Sequence, residues 1–178
     1  MKIITDQVAM FEMNNPDYVF DMAKKLNYIE SNVYPEHNIN ELIIYECRLL
    51  KNQKYDKDIE NFRDIVCEEL VKNFDIFIKE FNLNYEYNHF AFGVRKHMSG
   101  TYFAPHQDEG YTQIMYLNDD YEGGEFILND INFILKPKKG DIVIFEGTMT
   151  HSISKILSGT RYAIITTFHR KTKNEKFF

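Results

Sequence analysis

The sequence predicts a mainly β domain in which helices come first and a rolled β core follows. Two observations carry this. Residues 55–82 place Ile59, Phe62, Val66, Leu70, Phe74, Phe77 and Phe81 three or four apart with charges between them, the spacing of one helical face. From Tyr85 onward the apolar period shortens to two, and short runs alternate with turn residues, the pattern of a barrel or sandwich.

Taken in order, residues 1–13 hold short apolar runs and predict one or two outer strands. Asn15-Pro16 opens a helix, with Asn15 as N-cap and Pro16 at the first helical position. Val19, Phe20, Ala23 and Leu26 follow at helical spacing. Residues 31–40 are polar, contain Pro35 and read as loop; residues 42–50 fit a strand or a short helix, and the pattern leaves both open. The stripe of 55–82 reads as core-facing, the buttress of a sheet, in preference to a cofactor-holding face. Phe90, Phe92 and Val94 share one strand face, and residues 112–118, 125–128, 133–135, 141–145 and 161–168 read as strands. Gly123-Gly124, Asn129-Asp130, Pro137 with Gly140, and Ser158-Gly159 separate them. One domain spans 1–178, with N-terminal helical support over about 1–84 and a β core over about 85–170. The tail, 171–178, is basic and expected to be loosely held.

Composition narrows the function. A chain of 178 residues with 44% apolar and 15% aromatic content can bury a sizeable core. A net charge of -6 lacks the basic footprint of a nucleic-acid binder, and no polybasic amphipathic segment suits a membrane surface. Residues 1–14 carry Asp6 and Glu12 and do not read as a signal peptide, and no apolar run is long enough to span a bilayer. Cys47 and Cys67 have no metal or redox spacing and read as thiols outside any disulfide. These features together place the chain in the cytoplasm.

The chemistry is concentrated between His106 and Arg161. His106 and Asp108 are two apart, so on extended backbone their side chains share a face and can reach one ion; His151 must then come from a strand neighbouring in space. Two imidazoles and one carboxylate on one face of an octahedron leave three positions open, the arrangement of non-haem Fe(II) oxygenases. A lone His-X-Asp pair is a weak signal, but four features agree with it: Thr112-Gln113-Ile114-Met115-Tyr116-Leu117-Asn118 as a strand, the turn Gly123-Gly124-Glu125-Phe126, the run Lys139-Gly140-Asp141 leading toward His151, and Gly159-Thr160-Arg161-Tyr162 beyond it.

With these motifs, residues from about 90 to 170 resemble the core of the Fe(II)/2-oxoglutarate dioxygenases, in the prolyl 4-hydroxylase-like branch. The resemblance implies a double-stranded β-helix (a jelly roll) with Fe(II) at one open end, 2-oxoglutarate and O2 as co-substrates, and ascorbate as reductant. It implies iron ligation by His106, Asp108 and His151, and pairing of Arg161 with the distal carboxylate of 2-oxoglutarate. A planar guanidinium fork suits that carboxylate. Tyr116 matches a family tyrosine that donates to the same carboxylate, beside the alternative of a core tyrosine with a satisfied hydroxyl. Thr112 sits where the family often has a threonine lining the pocket.

The chain also departs from the family pattern. Where the family commonly has Tyr-x-x-Gly, this chain has His97-Met98-Ser99-Gly100. His97 thus reads either as a substitute donor to the co-substrate, with a pH-dependent charge, or as a solvent-facing histidine. Tyr102 and Phe103 read equally as substrate contacts or as packing, and His169 as structural.

The activity implied is peptidyl-prolyl 4-hydroxylase-like hydroxylation coupled to 2-oxoglutarate decarboxylation. Two alternatives stay open: the same chemistry on a free amino acid or other small molecule, and a non-catalytic jelly-roll binding module. Asp108 argues against a halogenating relative. The acidic balance and the lack of a second arginine close after Arg161 argue against a nucleic-acid demethylase.

Overall fold

The computed structural model of the chain describes residues 1–30, 44–50, 53–88 and 91–171. The loop expected at 31–40 and all but the first residue of the tail lie outside them. The N-terminal part comprises β1 (Lys2–Thr5), β2 (Val8–Glu12), α1 (Pro16–Ala23), β3 (Ile29–Glu30), β4 (Ile44–Leu50) and α2 (Lys57–Glu80). Residues 44–50 therefore resolve as strand. The β core follows as β5 (Tyr87–Asn88), β6 (Ala91–Met98), β7 (Phe103–His106), β8 (Tyr111–Tyr116), β9 (Glu122–Gly123), β10 (Phe126–Leu128), β11 (Phe133–Leu135), β12 (Asp141–Glu146), β13 (His151–Ile153), β14 (Ile156–Ser158) and β15 (Thr160–Arg170).

These strands form the expected double-stranded β-helix. A major sheet runs β1-β2-β12-β8-β15-β6-β4-β3, a minor sheet runs β11-β10-β13-β7, and β9 pairs with β14. The major sheet is buried on both faces, so its middle strands read as nearly unbroken apolar runs. On β12, Ile142 and Ile144 face the helices while Val143 and Phe145 face the jelly-roll interior. Likewise on β8, Met115 packs with the helices and Ile114 and Tyr116 face inward.

Helix α2 is the buttress its stripe predicts. Asp56 caps it, its carboxylate accepting from the Ile59 N–H at 3.1 Å. Phe62, Val66, Leu70, Phe74 and Phe77 are wholly buried against the sheet, each such burial worth roughly 1.5–3 kcal/mol. Phe74 stacks on Phe168 of β15 at 4.0 Å between ring centroids, which ties the helix to the strand that carries Arg161.

Helix α1 starts as expected, with Asn15 at the N-cap position and Pro16 first in the helix, but the cap makes no side-chain bond. Asn15 adopts a left-handed conformation (φ 50°, ψ 55°). Instead the preceding Asn14 donates both its backbone N–H and its Nδ2 to the Glu69 carboxylate of α2, at 2.6 and 3.1 Å. Burial raises the pKa of that carboxyl despite these bonds. Among the described residues no helix is long and apolar enough to cross a membrane.

Candidate metal centre and its inner pocket

Three ligand-type side chains converge at one end of the jelly roll. β7 ends at His106 and β13 begins at His151, and the two residues are direct partners across the minor sheet. Asp108 follows in the link to β8. One ligand atom from each of His106, Asp108 and His151 lies within 4.8 Å of the others, close enough to share an ion. The imidazole centroids are 4.3 Å apart, and His151 Nε2 is 3.4 Å from Asp108 Oδ2.

The hydrogen bonds behind the rings fix which nitrogens are available. His106 Nδ1 lies 2.8 Å from the Ala104 carbonyl, and His151 Nδ1 lies 2.8 Å from the Met149 carbonyl. A carbonyl only accepts, so each Nδ1 carries the proton and each Nε2 presents a lone pair. Two neutral imidazoles and a carboxylate are the donor set of a non-haem iron site.

The Asp108 loop is clamped by backbone. Gly147 donates its N–H to the Gly110 carbonyl at 2.7 Å and accepts from the Asp108 N–H at 2.8 Å. A Cβ at Gly147 would lie 2.8 Å from the Asp108 carbonyl oxygen, so only glycine permits this approach. Sequence inspection did not single out Gly147.

In front of the ligands is a cavity of about 110 Å³ lined by Arg95, Phe103, Thr112, Phe126 and Ile165 among others. Phe145 packs edge-on against His151 at 4.8 Å, giving the metal end a dry wall. Thr112 lines this cavity. Phe103 lines it too, whereas neighbouring Tyr102 is 43% exposed.

Deeper in the barrel lies a group of buried polar side chains that find no partner among the described residues. Arg161 is 0% exposed; its Nη1 donates to the Gly124 carbonyl at 3.2 Å, while Nε and Nη2 have no partner. No carboxylate pairs with it among the described residues, which rules out the surface ion pair that an arginine at a strand end would ordinarily make. The Tyr116 ring lies 5.6 Å from the guanidinium, and its hydroxyl is also unpartnered, which removes the reading of a satisfied core tyrosine.

His97 stands directly opposite Arg161 on β6 and is 0% exposed, with both ring nitrogens unpartnered. The solvent-facing reading of His97 is thereby corrected: odd-numbered positions of β6 turn inward. Burial first, then Arg161 and Arg95, hold its pKa well below the ordinary value, so the ring is neutral. His169 points the same way along β15 but is exposed at its far end. Tyr121, which sequence reasoning missed, adds another buried hydroxyl without a partner.

A buried guanidinium without an anion costs several kcal/mol, and each orphaned hydroxyl costs about 1–3 kcal/mol. An arrangement like this fits a carboxylate-bearing ligand whose other end reaches the metal, as 2-oxoglutarate would.

The comparisons with known proteins agree. Residues 91–169 match the family model of the 2OG-Fe(II) oxygenase superfamily. A Xenopus tropicalis 2-oxoglutarate and iron-dependent oxygenase domain-containing protein is 27% identical over 67% of this chain and 43% of its own length. A Prochlorococcus marinus PKHD-type hydroxylase is 36% identical over 41% of this chain and 34% of its own. The chain thus spans less than half the length of these curated relatives. Among solved structures, the viral collagen prolyl hydroxylase of Paramecium Bursaria Chlorella virus-1 superposes with a TM-score of 0.68 at 16% identity, covering 94% of this chain and 97% of that one. The Trichoplax adhaerens prolyl hydroxylase, in complex with a hypoxia inducible factor peptide, gives 0.72 at 14% identity, covering 93% and 84%.

Proposed function

We propose that this chain, which belongs to the 2OG-Fe(II) oxygenase superfamily, is an Fe(II)- and 2-oxoglutarate-dependent hydroxylase acting on prolyl residues of a peptide or protein, in the manner of the prolyl 4-hydroxylases. The observation that carries the reading is the pairing of two features in one barrel: the converging His106, Asp108 and His151, and the buried Arg161 without an anionic partner. The prolyl substrate is supported by the PKHD-type and prolyl hydroxylase relatives and by the peptide bound to the Trichoplax neighbour.

Iron and 2-oxoglutarate held here would supply the oxidising power for placing one oxygen atom of O2 in a substrate C–H bond, with the other leaving in succinate alongside CO2. The chain's residues supply position and environment. His106, Asp108 and His151 would hold the metal at the edge of the cavity. Arg161 fixes the far carboxylate of the co-substrate through a charge-assisted fork, with Tyr116 donating beside it and neutral His97 offering one N–H. Thr112 offers its buried hydroxyl to the pocket wall. Phe103, Phe126 and Phe145 keep water away from the reacting end.

The test is succinate formation from 2-oxoglutarate in air with Fe(II) and ascorbate, across proline-containing peptides and free amino acids. Peptide-stimulated turnover that vanishes in His106→Ala and Arg161→Ala is the expected result. Stimulation by a free amino acid alone would transfer the chemistry to a small-molecule substrate. Absence of both succinate and 2-oxoglutarate binding in metal-loaded protein would remove the enzyme reading in favour of a binding module.

A further inference from the structure

We propose that Tyr121 is a further anchor for the co-substrate, its phenol hydroxyl donating together with that of Tyr116 to the carboxylate held by Arg161. This rests on the 2-oxoglutarate reading above and adds to it a residue from outside the core strands.

Tyr121 lies in the link between β8 and β9. The residue is 8% exposed, and its hydroxyl is wholly buried with no partner among the described residues. Gly124 fixes where the ring sits: a Cβ there would lie 3.1 Å from Tyr121 Cε2 and 3.6 Å from Cδ2, at a backbone φ of +69° that favours glycine. The carbonyl of the same Gly124 receives Arg161 Nη1. The Tyr121 ring and the Arg161 guanidinium are therefore both seated against one residue. Arg161 interacts electrostatically with both tyrosines, and the tyrosines with each other. Burial is the largest effect on each phenol and pushes both upward, so both remain protonated donors.

The unpartnered donors suit a carboxylate. Arg161 Nε and Nη2, the two phenol hydroxyls and the one N–H of neutral His97 are without partners among the described residues. A carboxylate has two oxygens with about four lone-pair sites and only accepts. Packing does not explain the Tyr121 hydroxyl, because phenylalanine would fill the same space without the cost of an orphaned donor. A ligand carboxylate at this point accounts for it. The ligand class is a 2-oxo acid with a second, terminal carboxylate, and Tyr121 selects for that carboxylate.

The experiment is anaerobic calorimetry on Fe(II)-loaded wild type and Tyr121→Phe, titrated with 2-oxoglutarate and with 2-oxopentanoate, which lacks the terminal carboxylate. Melting of the unliganded proteins is recorded alongside. Tyr121→Phe is expected to weaken 2-oxoglutarate about tenfold, the worth of one hydrogen bond to a charged group, and to leave 2-oxopentanoate and metal binding unaltered. The unliganded variant melts no lower than wild type, because it loses an orphaned donor and keeps the ring. Unchanged 2-oxoglutarate affinity, equal losses for both ligands, or a lowered melting point would mark Tyr121 as a packing residue and overturn the inference alone. A wild type that binds no 2-oxoglutarate would remove the co-substrate reading together with it.

Discussion

His97 and Arg161 are direct cross-strand partners on β6 and β15, and both are wholly buried. Burial first, and then the guanidinium opposite it, keep the imidazole neutral. This has a consequence for stability. The folded state resists protonating His97 until well below the ordinary histidine value of 6.5, whereas the unfolded chain takes the proton near 6.5. Between those points the unfolded state binds more protons, so stability rises with pH and levels off above 6.5. Urea denaturation of the metal-free protein from pH 5.5 to 7.5 should show wild type losing up to about 1.4 kcal/mol per pH unit more than His97→Gln below 6.5. Parallel curves would mean that His97 protonates in the folded protein as it does in water.

Gly147 controls the reach of Asp108 by contact alone. Because a Cβ there would press on the Asp108 and Gly110 carbonyl oxygens at 2.8 and 2.9 Å, Gly147→Ala must displace the loop that carries the carboxylate. Neither oxygen belongs to a flexible side chain that could swing aside. We expect metal affinity to fall about 10–100-fold, the usual effect of disturbing what orients a ligand, with the fold retained. Calorimetry with Mn(II) under air measures this without turnover. Unaltered binding would show that the loop relaxes elsewhere.

The helix–sheet core should be separable from the site. Phe74 stacks on Phe168 and meets Tyr85, Tyr87 and Tyr111 at centroid distances of 4.8–6.0 Å, all on the helix side of the major sheet. Phe74→Ala should cost about 3–5 kcal/mol by urea denaturation. Metal affinity of the folded fraction should stay at the wild-type value. A parallel loss of metal binding would show that β15 transmits the packing defect to the site.

Much of this arrangement was legible in the sequence because it depends on short periodicities. The α2 stripe and the alternation of β8 and β12 each encode which face is covered, and His106-x-Asp108 encodes a shared direction. Residues that act by position in space were not legible. Tyr121 sits in a link with no period, and only folding brings it beside Arg161. Gly147 resembles any turn glycine until β8 and β12 bring its backbone against Asp108. The Asn15-Pro16 pair marks the helix start, but neither the left-handed backbone of Asn15 nor the bond from Asn14 to Glu69, fifty-five residues away, has a local pattern.

The last prediction concerns what Arg161 costs the empty protein. Its guanidinium is wholly buried, has one carbonyl partner and no anion, and burial lowers its pKa. Replacing a buried charge with a well-packed apolar side chain of similar length is often stabilising, by roughly 1–4 kcal/mol. Arg161→Met should therefore be more stable than wild type in urea when no ligand is present, while losing roughly a hundredfold or more in 2-oxoglutarate affinity. Saturating wild type with metal and 2-oxoglutarate should reverse the order, because ligand that binds only the folded state adds about 2.7 kcal/mol at a hundred times its Kd. A variant less stable than unliganded wild type would mean that Arg161 supports the fold through contacts beyond the Gly124 carbonyl. The orphaned donors around it would then no longer argue for an anion in the barrel.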